Sequence, residues 1–178
     1  MIYRTEYQTN LIGKLTLASD GENIVGCWFD NDRLFGDTVP QPMEPAQLPV
    51  FDCAFEWLDR YFAGERPLPS ELPLKANATP FRRQVWDILE RIPYGETVTY
   101  GDIAAEIARK TGKKMSAQAV GGAVGHNPIC VIVPCHRVMG AAGNLTGFGG
   151  GIDTKVKLLE LEGVDMSTFF RPKKGTAL

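Results

Sequence analysis

Ile129-Cys130-Val131-Ile132-Val133-Pro134-Cys135-His136-Arg137-Val138 is the stretch on which the reading of the fold turns. An apolar run, Ile129 to Ile132, reads as a buried strand. It meets a proline, which fixes its own φ and removes a backbone donor, so the strand is expected to end there. The next residue is a cysteine, followed by one of only two histidines in the chain. On a regular strand, neighbouring side chains point to opposite faces. Cys135 and His136 can therefore cooperate only across a sharp turn or through a water. A thiol at such a turn, beside an imidazole and a guanidinium, has the surroundings that activate a cysteine nucleophile.

Upstream of this stretch the pattern is helical. Thr79-Pro80 is a cap followed by a first-turn proline. Phe81, Val85, Ile88, Leu89 and Ile92 keep a period of 3.6, and Pro93 breaks it. A second helix follows Thr99, with Ile103, Ala104, Ile107 and Ala108 inward. Thr111-Gly112-Lys113-Lys114 turns the chain, and Ser116 caps a third helix that runs through Val120 and Val124 to Asn127-Pro128. Shape alone suits an αα-hairpin packed in a core as well as a helix-turn-helix. Composition favours the second. Ala117, Ala119, Gly121, Gly122 and Ala123 make a bare helix, and each helical glycine costs up to about 1 kcal/mol against alanine. Something must approach that backbone closely, either another helix or a nucleic-acid backbone. Arg109, Lys110, Lys113 and Lys114 flank it and could meet phosphates. Downstream, Asp153 opens a last helix with Val156, Leu159 and Glu160, closed by Gly163.

The first half differs. Residues 2–34 read as short strands, with Leu15 to Ala18, the turn Ser19-Asp20-Gly21, and Ile24 to Phe29. Leu48 to Phe62 is a helix with Val50, Ala54, Trp57, Leu58 and Tyr61 on one face. Residues 67–74 are proline-rich and aperiodic, a natural connector. The expected fold class is α+β. A small N-terminal α/β domain with a short antiparallel sheet, residues 1–78, precedes a mostly helical, winged-helix-like domain, residues 79–178. Residues 1–78 carry 6 Lys/Arg against 12 Asp/Glu, and residues 79–178 carry 13 against 9. The overall charge of −2 would argue against nucleic acid, but the half holding Cys135 is basic.

No apolar run approaches the roughly 20 residues of a membrane span, and the N-terminus lacks a signal-peptide core. The expectation is a cytoplasmic protein. Cys27, Cys53 and Cys130 read as small buried hydrophobes. With two histidines and no Cys-x-x-Cys pair, no metal site is expected. The orienting acid for a Cys-His pair could be Glu96, Asp102, Asp153, Glu160 or Glu162, and composition does not choose among them.

The motifs together choose a family. Pro134-Cys135-His136-Arg137-Val138, Ala119-Val120-Gly121-Gly122-Ala123 with Asn127-Pro128, and Pro93-Tyr94-Gly95-Glu96 before Thr99-Tyr100 resemble the O6-alkylguanine-DNA alkyltransferases. Gly149-Gly150-Gly151 and Leu158-Leu159-Glu160-Leu161-Glu162-Gly163 extend the likeness, which covers residues 80–163 closely and the first half loosely. The resemblance implies a suicide transfer from double-stranded DNA containing O6-alkylguanine, by a monomer, without cofactor. It makes Cys135 the acceptor, His136 the base through a water, and Glu162 the group that orients it. Asn127 would brace the turn, and Tyr100 would help rotate the nucleotide and protonate the leaving guanine. Backbone groups of Cys135, Val138 and Gly149 would read the base, with Phe148 in the pocket wall. Ser116, Ala119 and Gly122 on the third helix, with Lys113, Lys114 and Arg137, would bind DNA through the minor groove. Two positions depart from the family pattern. Gln118 stands where an arginine usually fills the gap left by the flipped base, and Phe148 where tyrosine is often found. A binding-only module and a Cys-His hydrolase are the other classes. Cys135 argues against the first and the bare third helix against the second.

Overall fold

Short runs of β-branched and aromatic residues, broken by Gly13 and by the Asp20–Asn23 turn, make three strands: β1 (Tyr3–Thr9), β2 (Gly13–Ser19) and β3 (Ile24–Phe29). The computed structural model describes residues 1–173 and divides them into two units. The first comprises Met1–Asn77 and Pro128–Val133. Its sheet runs β3-β2-β1-β4, antiparallel except for β4 (Glu44–Pro45), which joins β1 in parallel at Tyr3 and Arg4. Helix α1 (Pro49–Phe62) packs on β2 and β3 through Val50, Phe51, Ala54, Trp57, Leu58 and Tyr61. The proline-rich connector is part of this unit. Trp57 donates its indole N–H to the Leu68 carbonyl at 2.8 Å, and Leu74 bridges Ile24 at the sheet edge.

Two expectations fail in this unit. Cys27 and Cys130 are buried, but Cys53 is exposed. It lies beside Asp52 on the face of α1 opposite the apolar stripe. The run Ile129 to Ile132 is buried, as expected, but is not a strand. Only Ile129 makes a bridge, to Cys27. The Ile132 N–H then turns back to the Cys130 carbonyl at 2.9 Å, with Val131 between them at φ 70°. That is a γ-turn of the rare left-handed kind, centred on a residue whose branched Cβ disfavours it. Apolarity marked the burial of the segment but not its backbone path.

The second unit comprises Ala78–Asn127 and the described residues from Pro134 onward. Helices α2 (Pro80–Leu89), α3 (Tyr100–Thr111) and α4 (Ala117–Gly125) pack on one another. Their starts are set by side-chain caps. Thr79 accepts from the Arg82 N–H, Thr99 and Asp102 form a reciprocal capping box, and Ser116 accepts from the Ala119 N–H. Trp86 of α2 donates to the Ala123 carbonyl of α4 at 2.9 Å, fixing the bare helix in place. A parallel pair, β5 (Val98–Thr99) with β6 (Val138–Met139), ties the start of α3 to the chain leaving Cys135. Helix α5 (Ile152–Leu161) begins after Gly151 rather than at Asp153.

Candidate active site

After the turn at Val131 the chain reaches Pro134, and Cys135, His136 and Arg137 form a single 3-10 turn. Successive side chains of such a turn diverge by roughly 120°, less than the 180° of a strand, so the thiol and the imidazole are not sent to opposite faces. The β5–β6 pair sets Val98 opposite Val138 and Thr99 opposite Met139, which brings Tyr100, the next residue, into the same neighbourhood. Cys135 and Tyr100 are each 6% exposed.

His136 is fully buried, and its Nε2 lies 2.7 Å from Glu162 Oε1. Glu162 follows α5 and is fixed from three sides. Arg137 Nε donates to Oε2 at 2.9 Å and Nη2 to Oε1 at 2.9 Å, and the Gly95 N–H donates to Oε2 at 3.0 Å. The Arg137 Nη1 donates to the Ile92 carbonyl at 2.6 Å, and the guanidinium lies 5.7 Å from the Tyr94 ring centroid. Of the five acids open to choice, the geometry selects Glu162. It also explains the Pro93-Tyr94-Gly95 motif, whose turn supplies a donor to that carboxylate.

The electrostatics assign protons. Burial alone would raise the Glu162 pKa. The hydrogen bonds and charges of His136 and Arg137 overcome it and hold the carboxyl well below its usual range. Burial pushes His136 down, aided by the positive charges of Arg137 and Lys155 and opposed by Glu162. With the Arg137 charge fixed on Glu162, a neutral imidazole is the consistent state. Its Nε2–H donates to Glu162, and Nδ1 carries the basic lone pair. Burial, with the charge of Cys135, raises Tyr100 to about 12, against a hydrogen bond with Thr146, so the phenol keeps its proton at neutral pH.

Lys155 was not singled out in the sequence. It is fully buried on α5, and its ammonium donates to the Val138 carbonyl at 2.5 Å and the Thr146 carbonyl at 3.2 Å. Burial lowers its pKa to about 8, while the charge of Cys135 favours the ammonium. A signal was present. Ile152, Leu158 and Leu159 stand three and four residues away, so Lys155 occupies the apolar face of its helix.

The other expected residues fall into three places. Val138 is buried at the site, and the Phe148 ring meets His136 edge-on at 6.5 Å between centroids, with Gly149 exposed beside it. Asn127 is buried where α4 ends, its N–H donating to the Val124 carbonyl. Lys113, Lys114, Ser116, Gln118 and Ala119 are exposed along the turn and first turn of α4. Gly122 also faces open space, since a Cβ built there meets nothing within 4 Å. Arg137 is a correction. It was expected on DNA, but it is 6% exposed and its donors are spent on Glu162 and Ile92, leaving it unable to reach a phosphate. Among the described residues no cluster of three or more His, Cys, Asp or Glu side chains could hold a metal ion. Among the described residues no helix is long and apolar enough to cross a membrane.

Comparison with known proteins is consistent across the chain. Residues 2–76 match the family described as 6-O-methylguanine DNA methyltransferase, ribonuclease-like domain, and residues 80–164 the DNA binding domain of the same name. A methylated-DNA–protein-cysteine methyltransferase of Haemophilus influenzae is 41% identical over 90% of this chain and 86% of its own length. One from Mycobacterium tuberculosis is 46% identical over 85% and 87%. The crystal structure of the M. tuberculosis O6-methylguanine methyltransferase superposes with a TM-score of 0.75, at 40% identity, covering 98% of this chain and 97% of that one. The M. tuberculosis OGT in complex with DNA gives a TM-score of 0.77 at 41% identity, covering 90% and 93%.

Proposed function

The chain belongs to the methylated-DNA–protein-cysteine methyltransferase family, and from that premise we propose that Cys135 accepts an alkyl group directly from O6 of guanine in double-stranded DNA. The observation that carries the reading is the buried relay beside the thiol, in which a neutral His136 is held by Glu162 and Glu162 by Arg137. His136 Nδ1 takes the Cys135 proton through a water. The sulfur attacks the alkyl carbon, the C–O6 bond breaks, and its electron pair leaves with the guanine. The Tyr100 hydroxyl supplies the proton that the leaving base requires. The product is a thioether, which water does not readily hydrolyse, so each molecule acts once.

The target atom is enclosed in the base stack, and the nucleotide must be rotated out to reach a buried sulfur. Helix α4 suits that task. Its exposed Ala119 and open Gly122 let a backbone come close, Lys113 and Lys114 stand beside it, and the exposed Gln118 of its first turn is the side chain that would fill the vacated space. Asn127 braces the end of α4, and Val138, Phe148 and Gly149 line the base pocket. Acceptor, base and helix lie in one chain, which we take to work as a monomer in the cytoplasm.

The test uses duplex DNA carrying O6-methylguanine labelled on the methyl carbon. One equivalent of label per protein, lost in Cys135→Ser, is expected. Continued turnover points instead to a hydrolase, and tight binding without transfer to a binding module.

A further inference from the structure

Residues 165–171 lie beyond the stretch matched by the DNA-binding family, yet they are built onto the wall of the site. Asp165 accepts from the Ser167 N–H and starts a 3-10 turn, Met166–Thr168. Phe169 and Met166 then pack on the cluster of Met139, Leu145 and Leu159. The Phe170 N–H donates to the Gly143 carbonyl at 3.0 Å, and its own carbonyl accepts from the Leu145 N–H at 2.9 Å. Arg171 closes on Asp153 of α5 at 2.5 Å. Gly143 records how close the passage is. A Cβ there would lie 2.6 Å from the Thr168 carbonyl oxygen, and its φ is +86°.

The loop held in this way runs directly into the site. Thr146 follows Leu145 and gives its carbonyl to Lys155, and the Phe148 ring stands against His136. A methyl group needs the space of one carbon beside Cys135. A benzyl group needs that of a ring, and the Thr146–Phe148 wall can retreat only if Gly143–Leu145 moves with it. That movement breaks two backbone hydrogen bonds and lifts Phe169 from its cluster. The Arg171–Asp153 pair adds little, because both side chains are more than half exposed.

We propose that Met166–Arg171 is a strap that fixes the loop 143–148 and thereby sets the largest alkyl group that Cys135 can accept. The proposal rests on the acceptor reading above. Two variants test it. Phe170→Pro removes one strap donor and keeps the carbonyl, and Phe169 already has φ −94° and ψ 151°, a conformation that tolerates a following proline. Phe169→Ala removes the anchor. Single-turnover transfer is measured from duplexes carrying O6-methylguanine or O6-benzylguanine. Loss of one such bond should raise the open-loop population, and with it the benzyl rate relative to the methyl rate, by roughly threefold to tenfold. The methyl rate should stay within about twofold of wild type by the same reasoning. An unchanged ratio in both variants, whether the two rates hold or fall together, overturns the strap as a determinant of size. A wild-type protein that transfers neither group removes the acceptor reading itself, and the strap with it.

Discussion

Replacing Arg137 by methionine removes the group that holds Glu162 ionised inside the second unit. Glu162 has no exposed side-chain surface and Arg137 only 7%. The guanidinium gives two direct bonds to the carboxylate at 2.9 Å and one to the Ile92 carbonyl at 2.6 Å. Breaking a buried ion pair by deleting one partner costs about 3–5 kcal/mol, because the other charge stays behind in a medium that solvates it poorly. Methionine keeps most of the volume, so little of that loss is a cavity. Typical domains have about 5–15 kcal/mol to lose, and the variant should fold. Urea unfolding at pH 7.5 should give a deficit in the 3–5 kcal/mol range, on the order set by that buried-pair rule. Alkyl transfer reports the second consequence. Arg137 is one of the charges that lower the His136 pKa, so its removal raises that pKa. The base is then protonated at a higher pH, and the acid limb of the pH–rate profile moves upward. Arg137→Lys should restore much of the profile while losing part of the stability, since a point charge replaces a two-pronged contact. A deficit below about 1 kcal/mol, the worth of an exposed pair, or an acid limb that moves downward would refute the relay as described.

Other consequences follow from single contacts. Gln118→Ala should slow repair of duplex DNA more than of single strands, because only the duplex leaves a gap to fill; equal slowing would count against that role. In Gly26→Ala the new Cβ would lie 1.8 Å from the Trp28 ring. The indole is 1% exposed, so it must leave its site, and a loss of at least about 1–3 kcal/mol is expected in thermal or urea unfolding. Acid should weaken the protein in two stages. The native His136 pKa lies below its ordinary 6.5 and that of Glu162 below 4.5. The unfolded chain therefore binds more protons as pH falls through each value, and stability present above pH 6.5 is lost progressively below it and again below 4.5. Urea midpoints that stay level from pH 8 to pH 5 would contradict a buried neutral imidazole.

The elements were legible because their ends are chemically marked. Thr79-Pro80, Thr99 with Asp102, and Ser116 start three helices where the sequence places them, since a cap is a contact between near neighbours. The path of residues 129–133 was not legible. A run of Val and Ile records burial, and the same burial is compatible with a strand or with the γ-turn at Val131. Arg137 misled for a related reason. Arginine in a basic half reads as a phosphate contact unless its carboxylate is known, and Glu162 is 25 residues away in sequence. Cys53 misled because its aromatic neighbours Phe51 and Phe55, two positions away on a helix, face other directions.

Lys155 shows what the missing information was worth. Among the described residues its ammonium bonds two carbonyl oxygens and no carboxylate. Carbonyl dipoles alone repay little of the several kcal/mol that a buried cation costs. The other nearby cation, Arg137, is committed to Glu162. The one negative charge that acts to favour the Lys155 ammonium is that of Cys135. The two tasks of the site are therefore divided. Burial and the charge of Arg137 keep His136 neutral and able to take a proton, against the pull of Glu162, and the Lys155 ammonium stands where charge on the sulfur acts on it. An ammonium spent on a carboxylate could not perform the second task, and a surface lysine would be screened from it. Burial without an acidic partner, costly as it is to the fold, is what this chemistry requires of Lys155.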